Sequence, residues 1–374
     1  MENLGIGGGR DMFNNIYHNK RVLITGHTGF KGSWLALWLS RMGANVTGYS
    51  LQPPTEPNHF QLLDMDINSI IGDVRDTERL RHVFQEQRPE IVFHLAAQAI
   101  VRFSYKDPTE TFTSNVIGTV NVLEASRASD TVRAIVSVTS DKCYENREWS
   151  WAYREIDALG GYDPYSASKG CAELIAGCWR QSFFNFKDYS STHQTLLASA
   201  RAGNVIGGGD WASDRLIPDI MRAVHRRDKV KIRNPQATRP WQHVLEPLSG
   251  YLVLGQKLLE GRREFAEAWN FGPVENENMT VGEIVDQVKR VWPKIDYEIS
   301  QMTNQPHEAG MLRLDCSKAR SKLKWFPVWD GKNAIEKTTF WYKTFYESSE
   351  VQSAEHLKSY IADAKSRHIN WAEE

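Results

Sequence analysis

The segment Thr25-Gly26-His27-Thr28-Gly29-Phe30-Lys31-Gly32 decides how the chain is read. It follows a short apolar run, Arg21 to Thr25, and precedes Ser33 to Arg41, where apolar and aromatic residues recur at helical spacing. Strand, glycine turn and helix in that order put the free N–H groups of a helix N-terminus at a strand end, where a dinucleotide pyrophosphate binds. Glycine is needed where the backbone turns sharply and approaches the ligand. The spacing is Gly-x-x-Gly-x-x-Gly rather than Gly-x-Gly-x-x-Gly, so the place between strand and helix carries the reading more than the glycines do.

Working outward, the alternation continues. Ala44 to Ser50, Asn68 to Ile71, Ile91 to Leu95, Thr131 to Val138 and Thr195 to Ala200 read as strands, with helices at Thr77 to Gln87, Thr109 to Ala128 and about Tyr165 to Phe184. Strands alternating with long helices predict an α/β fold, a Rossmann-like doubly wound parallel sheet, over residues 20–200. Past about Arg201 the chain turns to loops rich in Gly, Pro, Trp and Arg, broken by helical stretches at Ile217 to Arg226, Leu248 to Leu259 and Val281 to Val291. Residues 201–347 are therefore expected to form mainly a smaller C-terminal substrate-binding lobe. Residues 1–19 read as an N-terminal tail or leader, with Met12 a second possible start. Residues 348–374 read as a helical tail whose Val351, Leu357, Ile361 and Ala364 share one face and pack on the body or on a sister subunit.

Composition narrows the function. A chain of 374 residues suggests two or so domains at roughly 150 residues each. Lys and Arg total 45 against 46 for Asp and Glu, a net charge of −1, so no global field favours a nucleic-acid partner. The 41% hydrophobic content belongs to a folded chain. Cys143, Cys171, Cys178 and Cys316 form no Cys-x-x-Cys pair, so neither structural zinc nor a disulfide framework is expected, and a reducing cytoplasm fits. No apolar run approaches the roughly 18 residues of a membrane span, and no signal-peptide region stands at the start, so a soluble cytoplasmic protein with no membrane partner is expected.

The second strand ends Gly48-Tyr49-Ser50-Leu51, without the carboxylate that would take a ribose 2′-hydroxyl. Lys31 either favours a 2′-phosphate or is a solvated lysine at a helix start, which leaves NAD and NADP open. Asp73, followed by Val74, either reads an adenine edge or caps the next helix. The pattern that points to chemistry is Ser140 followed by Tyr165-Ser166-Ala167-Ser168-Lys169. Tyr165 and Lys169, at i and i+4, share a helical face, so the ammonium can lower the phenol's pKa. Moving a phenol from about 10 to 6 or 7 requires roughly 4 to 5.5 kcal/mol of preferential phenolate stabilisation, a joint task for the lysine and an oxidised nicotinamide. Trp34 and Trp38 read as core, Cys171 and Cys178 as packed thiols, and His94 as a hydrogen-bonded core histidine.

Thr25 to Gly32, His94-Leu95-Ala96-Ala97-Gln98, Asn115-Val116-Ile117-Gly118-Thr119, Ser140 and Tyr165 to Lys169 resemble the extended short-chain dehydrogenase/reductases, from Lys20 to about Tyr346. Within that family, Thr139 to Tyr144, Arg201 to Trp211 and Arg239 to Val244 look like the dehydratases that act on CDP-glucose at C4 and C6. The resemblance implies tightly held NAD, a CDP-hexose substrate, no metal and no net redox change. The product would be a CDP-4-keto-6-deoxy sugar for deoxysugar biosynthesis of the O-antigen type. It assigns catalysis to Ser140, Asp141, Lys142, Tyr165 and Lys169. Cofactor contacts fall to Gly26, Thr28, Gly29, Phe30, Lys31, Gly32, Ser50, Asp73, Val74, Leu95, Ala96, Ala97 and Asn115, with Tyr165 and Lys169. Substrate contacts fall to Gln98, Arg102, Asn204, Arg239, His243 and His307.

Related dTDP-glucose dehydratases carry Asp-Glu where this chain has Asp141-Lys142, so which residue is acid and which is base stays open. A homodimer or homotetramer joined through the helices Thr109 to Ala128 and Tyr165 to Phe184 is implied as well. The rival readings are a dehydratase for another nucleotide sugar, a sugar-nucleotide 4-epimerase, and a non-catalytic nucleotide sensor on the same fold. The Asp141-Lys142 pair speaks against an epimerase, which has no leaving group to protonate at C6.

Overall fold

A computed structural model describes residues 12–373, except 233, 234, 237, 274–278 and 300–310. Seven strands form one parallel sheet: β1 Arg21–Thr25, β2 Asn45–Ser50, β3 Asn68–Ile71, β4 Ile91–His94, β5 Ala134–Val138, β6 Leu196–Arg201 and β7 Ala268–Asn270. Their order is β7-β6-β5-β4-β1-β2-β3, and every neighbouring pair is parallel. The central strands β4, β5 and β6 are buried along their whole length, as a sheet covered on both faces requires. The order reverses between β1 and β4, and the crevice beyond their carboxyl ends is where such sheets bind ligands. The doubly wound fold stands as expected.

Helix α1, Phe30–Arg41, starts three residues earlier than the apolar spacing suggests, because Gly29 is its extended N-cap and the end of the glycine motif is already helical. The expected helix over 109–128 is a continuous helical run with a π turn, Thr113–Ile117, between Pro108–Phe112 and Gly118–Arg127. Helix α2, Pro164–Ser182, is started by Asp163, whose side chain accepts from Ser166 N–H at 2.9 Å, and by Pro164 in the first turn.

The N-terminal end of the chain corrects the expected boundary. Met12, Phe13 and Tyr17 are buried, and Phe13 stacks on Trp371 at 5.2 Å and meets Trp38 edge-on at 6.0 Å. Residues 12–19 are therefore anchored to the core through Met12, Phe13 and Tyr17 rather than a detached leader, while residues 1–11 lie outside the described residues. Helix α3, Ser353–Ser366, turns Leu357, Tyr360 and Ala364 inward onto the same cluster. It packs on the body of this chain, with Val351 just before it and Ile361 half-buried. Between 201 and 347 the division is not linear either: β7 completes the large sheet and the helix Leu245–Leu259 packs beneath it. Leu312 to Trp329 also packs into the main core, and a second cluster around Ile217, Ile284, Val288, Trp341 and Tyr342 forms the smaller lobe.

Candidate active site

The glycine loop is shaped by close backbone approach. Gly26 has φ +80°, and a Cβ there would lie 2.7 Å from Ala96 N, so only glycine lets the β1 turn pass the loop after β4. A Cβ on Gly32 would overlap the Gly26 carbonyl. Gly29 caps α1 without a side chain, so the first N–H groups of the helix face the crevice unclaimed. These features suit a bound pyrophosphate.

At the end of β2, where the usual carboxylate is missing, Thr28 and Ser50 share a hydroxyl–hydroxyl bond of 2.8 Å, and Thr28 donates to the Leu51 carbonyl at 2.9 Å. Asp73 is gripped by Arg75 through its backbone N–H at 2.8 Å and its guanidinium, which holds the carboxyl below the usual range. Asp76, not Asp73, caps the following helix, accepting from Arg79 N–H at 3.0 Å. Val74 is buried against Gly118. His94 is a core histidine, bonded to Thr25 at 2.7 Å and Thr119 at 3.1 Å, and burial pushes it down to about 3, leaving it neutral.

Leu95, Ala96 and Ala97 pass along the crevice, with Leu95 N–H donating to the Thr25 carbonyl at 3.1 Å. Asn115, in the π turn, fixes this passage. Its Oδ1 accepts from Gln98 N–H at 2.8 Å, and its Nδ2 donates to the Gln98 carbonyl at 3.0 Å and to Ser168 Oγ at 2.9 Å. The Gln98 amide is engaged within its own neighbourhood, donating to Thr111 at 2.8 Å and the Ile100 carbonyl at 3.1 Å.

Beyond β5, extended Ser140 opens a single turn, Asp141–Cys143. The Ser140 hydroxyl donates to Asp141 Oδ1 at 2.8 Å and accepts from Lys142 N–H at 3.2 Å. Ser140, Asp141, Tyr165 and Lys169 are all buried, and Lys142 is half-buried. Burial pushes the Tyr165 phenol up to about 12, against the hydrogen bond from Ser140 that lowers it. Burial also pushes Lys169 down to about 8. In the protein by itself, desolvation of the phenolate outweighs its favourable partners, so the part of the task expected of an oxidised nicotinamide is still to be supplied.

Lys31 is half-buried and held at about 8, first by burial and then by the positive charges of Arg215 and Lys169, with Asp141 and Asp210 opposing. The charges of Asp141 and Lys169 act on it, so it is no solvated surface lysine. Arg215, ion-paired with Asp210 at 2.7 Å, was not singled out by sequence reasoning, although Gly207 to Trp211 was.

A cavity of about 640 Å³ opens over Asp141, walled by Trp149, Trp151, Arg154, Gly203, Gln242 and Arg313 among others. A Cβ on Gly203 would overlap the Asp141 carboxylate, so glycine there keeps that acid's space open. The tryptophans and arginines of this wall were missed because they sit in irregular loops, where spacing carries no signal. Asn204, at φ +51°, is half-buried and accepts from Gln242 N–H through its carbonyl at 3.2 Å. Arg239 is half-buried on a short strand paired with Met279–Thr280. Arg102 is ion-paired with Asp214 at 3.5 Å.

His243 is a correction: it is fully buried between Trp34, Trp329 and His356, with ring centroids 5.9, 4.9 and 6.1 Å away, so it packs the core rather than touching substrate. His307 lies outside the described residues. Among those described, no group of three or more His, Cys, Asp or Glu is placed to hold a metal ion, and no helix is long and apolar enough to cross a membrane.

The family model described as GDP-mannose 4,6 dehydratase matches residues 23–338. The chain is 52% identical over 339 residues to CDP-glucose 4,6-dehydratase of Salmonella typhimurium, covering 90% of this chain and 94% of that one. Among solved structures, the epimerase Mth375 of Methanothermobacter thermautotrophicus superposes with a TM-score of 0.77 at 24% identity, covering 90% of this chain and 96% of that one. The dTDP-glucose 4,6-dehydratase of Bacillus anthracis, in complex with NAD, superposes with a TM-score of 0.69 at 21% identity, covering 87% and 97%. Those structural likenesses carry the fold, and the sequence matches carry the kinship: the chain belongs to the GDP-mannose 4,6 dehydratase family of extended short-chain dehydrogenase/reductases.

Proposed function

We propose that this chain is an NAD-dependent hydro-lyase that converts CDP-D-glucose to CDP-4-keto-6-deoxy-D-glucose, a step toward deoxysugars. The observation that carries the reading is Asp141, buried and hydrogen-bonded to Ser140 beside Tyr165, because it adds a proton carrier for C6 to an alcohol-oxidising set. The 52% identity to a CDP-glucose 4,6-dehydratase supports the choice of nucleotide.

NAD, when bound, accepts the hydride from C4 and returns it to C6, so there is no net redox change. The N–H groups of the glycine loop would hold the pyrophosphate, with Tyr165 and Lys169 toward the nicotinamide. Tyr165 Oη takes the proton of the C4 hydroxyl, Ser140 Oγ hydrogen-bonds the same oxygen, and the Lys169 ammonium favours the phenolate. Once C4 is a ketone its neighbour C5 is acidic. Lys142 is assigned to remove the C5 proton and Asp141 to protonate the C6 oxygen, which leaves as water; as hydride returns to C6, Lys142 gives the proton back to C5. Asp141 Oδ1 is taken by Ser140, and Oδ2 lies toward Gly203 and the cavity. Arg239 and Asn204, from the smaller lobe, are assigned to the diphosphate, for which a guanidinium fork is suited.

The homodimer is supported by apolar side chains left exposed on the two helical runs, Phe112, Ile117 and Leu174. A cytoplasmic setting is supported by four free cysteines. The deciding experiment incubates the purified protein with CDP-, dTDP-, UDP- and GDP-hexoses and follows mass and NADH together. Loss of water from the CDP sugar without accumulated NADH is expected. Dehydration confined to another nucleotide, or an epimer with no water lost, overturns the reading.

A further inference from the structure

Behind the reacting face lies a buried polar cluster that the mechanism above leaves unused. Glu173 stands one helical turn after Lys169 on α2, and its side chain is wholly enclosed. Its carboxylate accepts from Thr139 Oγ1 at 2.5 Å, Ser199 Oγ at 2.8 Å and Arg201 Nη2 at 2.7 Å. Arg201 in turn donates to Tyr144 Oη at 2.6 Å and to the Glu155 carbonyl at 3.2 Å, with its guanidinium 4.9 Å from the Tyr144 ring. The ends of β5 and β6, helix α2 and the turn after Ser140 therefore meet on one ion pair. Thr139 is the residue before Ser140, and Lys169 shares the helix with Glu173.

A buried ion pair is a poor source of stability, because desolvating two charges costs about as much as their attraction returns. What it supplies here is direction: bonds to Glu173 fix where the strand end and the helix sit relative to each other. We infer that Glu173 and Arg201 are positioning residues for the reaction, holding Ser140 at the end of β5 and keeping the Lys169 ammonium charged beside Tyr165. The inference rests on the catalytic reading of Ser140, Tyr165 and Lys169 given above.

Charge follows the same geometry. The groups that face Lys169 are Cys143 from the turn after β5, Glu173 and Tyr165 from its own helix, His94 from β4 and Lys31 from the glycine loop. Burial raises the Cys143 thiol well above its ordinary value and keeps His94 neutral, so Glu173 is the carboxylate available to oppose the loss of the lysine's proton. The ion pair with Arg201 and the hydroxyl bonds hold Glu173 below the usual carboxylate range despite its burial. Removing that negative charge takes away the carboxylate that favours the ammonium, which lowers the pH at which the ammonium is lost.

The test uses the NAD-loaded protein carrying 13C-labelled lysine, with the Lys169 resonance assigned by its disappearance in Lys169→Arg. In Glu173→Gln, Lys169 is expected to titrate about one pH unit lower than in the wild type. The alkaline limb of the dehydration rate moves with it. kcat falls by about tenfold or more while KM stays within about twofold. Arg201→Lys, which keeps the charge, is expected to retain the wild-type pH limb.

A folded Glu173→Gln protein whose Lys169 titrates as in the wild type, or one that loses only KM, overturns the inference. If Glu173→Gln does not fold, Thr139→Val decides: a several-fold loss of kcat at constant KM supports positioning, and unchanged kcat defeats it. A wild-type protein that dehydrates no nucleotide hexose, while its Lys169 signal still shifts in Glu173→Gln, would refute the reaction and uphold the coupling.

Discussion

The Ser140 hydroxyl donates to Asp141 Oδ1 at 2.8 Å, so the group assigned to the C4 oxygen is bonded directly to the group assigned to the C6 oxygen. The two steps of the reaction therefore separate by substitution. Ser140→Ala is expected to lower kcat/KM by about 10²- to 10³-fold, the range for losing one preorganised hydrogen bond at a developing charge. Asp141→Asn removes the proton carrier and leaves the C4 chemistry in place. Rapid mixing with CDP-glucose should then show reduced nicotinamide building up without loss of water.

Lys142 is half-buried next to Asp141, and its role separates from that of Asp141 by isotope. Lys142→Ala should slow the loss of deuterium from substrate labelled at C5 by about 10²-fold or more, the usual contribution of a positioned base. A variant that loses water at the wild-type rate removes Lys142 from the mechanism and leaves a bound water as base.

Burial holds the Tyr165 phenol at about 12 in the protein alone. A cation placed beside it favours the phenolate, so its pKa must fall when oxidised nicotinamide is bound. Ultraviolet titration should show one tyrosinate appearing at least about one pH unit lower with NAD than without, a change of about 1.4 kcal/mol. The difference should vanish in Tyr165→Phe, which should also abolish turnover.

Gly32→Ala forces a methyl group onto the Gly26 carbonyl, which is backbone and cannot swing aside. The cost of such overpacking is about 1–3 kcal/mol of stability. NAD affinity measured by calorimetry should fall in the same variant, because the turn that presents the free N–H groups must open.

Glu246 ties α3 and the loop at 328–329 to the core, accepting from Val328 and Trp329 N–H at 2.9 and 2.7 Å and from Tyr360 Oη at 2.8 Å. Burial pushes it up to about 7 from 4.5. A carboxyl raised in the folded state holds its proton there longer than in the unfolded chain. Its contribution is fully favourable below pH ~4.5 and is lost as pH rises through about 7, a span of roughly 3 kcal/mol. Denaturant melts at pH 5 and pH 8 should show that loss in the wild type, and Glu246→Gln should flatten it.

Much of the fold was legible because parallel strands and amphipathic helices leave local patterns. Asn68–Ile71 and Thr77–Gln87 fall where the apolar spacing put them. The N-terminal segment was misread because aromatic residues in a short stretch have no period: Phe13 and Tyr17 become core through partners far away in sequence. His243 was misassigned for a similar reason. A histidine in a motif carries no sign of which way its ring turns, and here it faces Trp34 and Trp329.

The order of residues alone determined the glycine turn between strand and helix, and the sharing of a helical face by Tyr165 and Lys169, since both are consequences of local backbone geometry. Only the folded chain decided that Lys31 lies within reach of the charges of Asp141 and Lys169, that Glu173 meets Arg201 behind Ser140, and that desolvation raises the phenol. Electrostatics depends on distance and dielectric, and both are set by segments that come together only when the core closes.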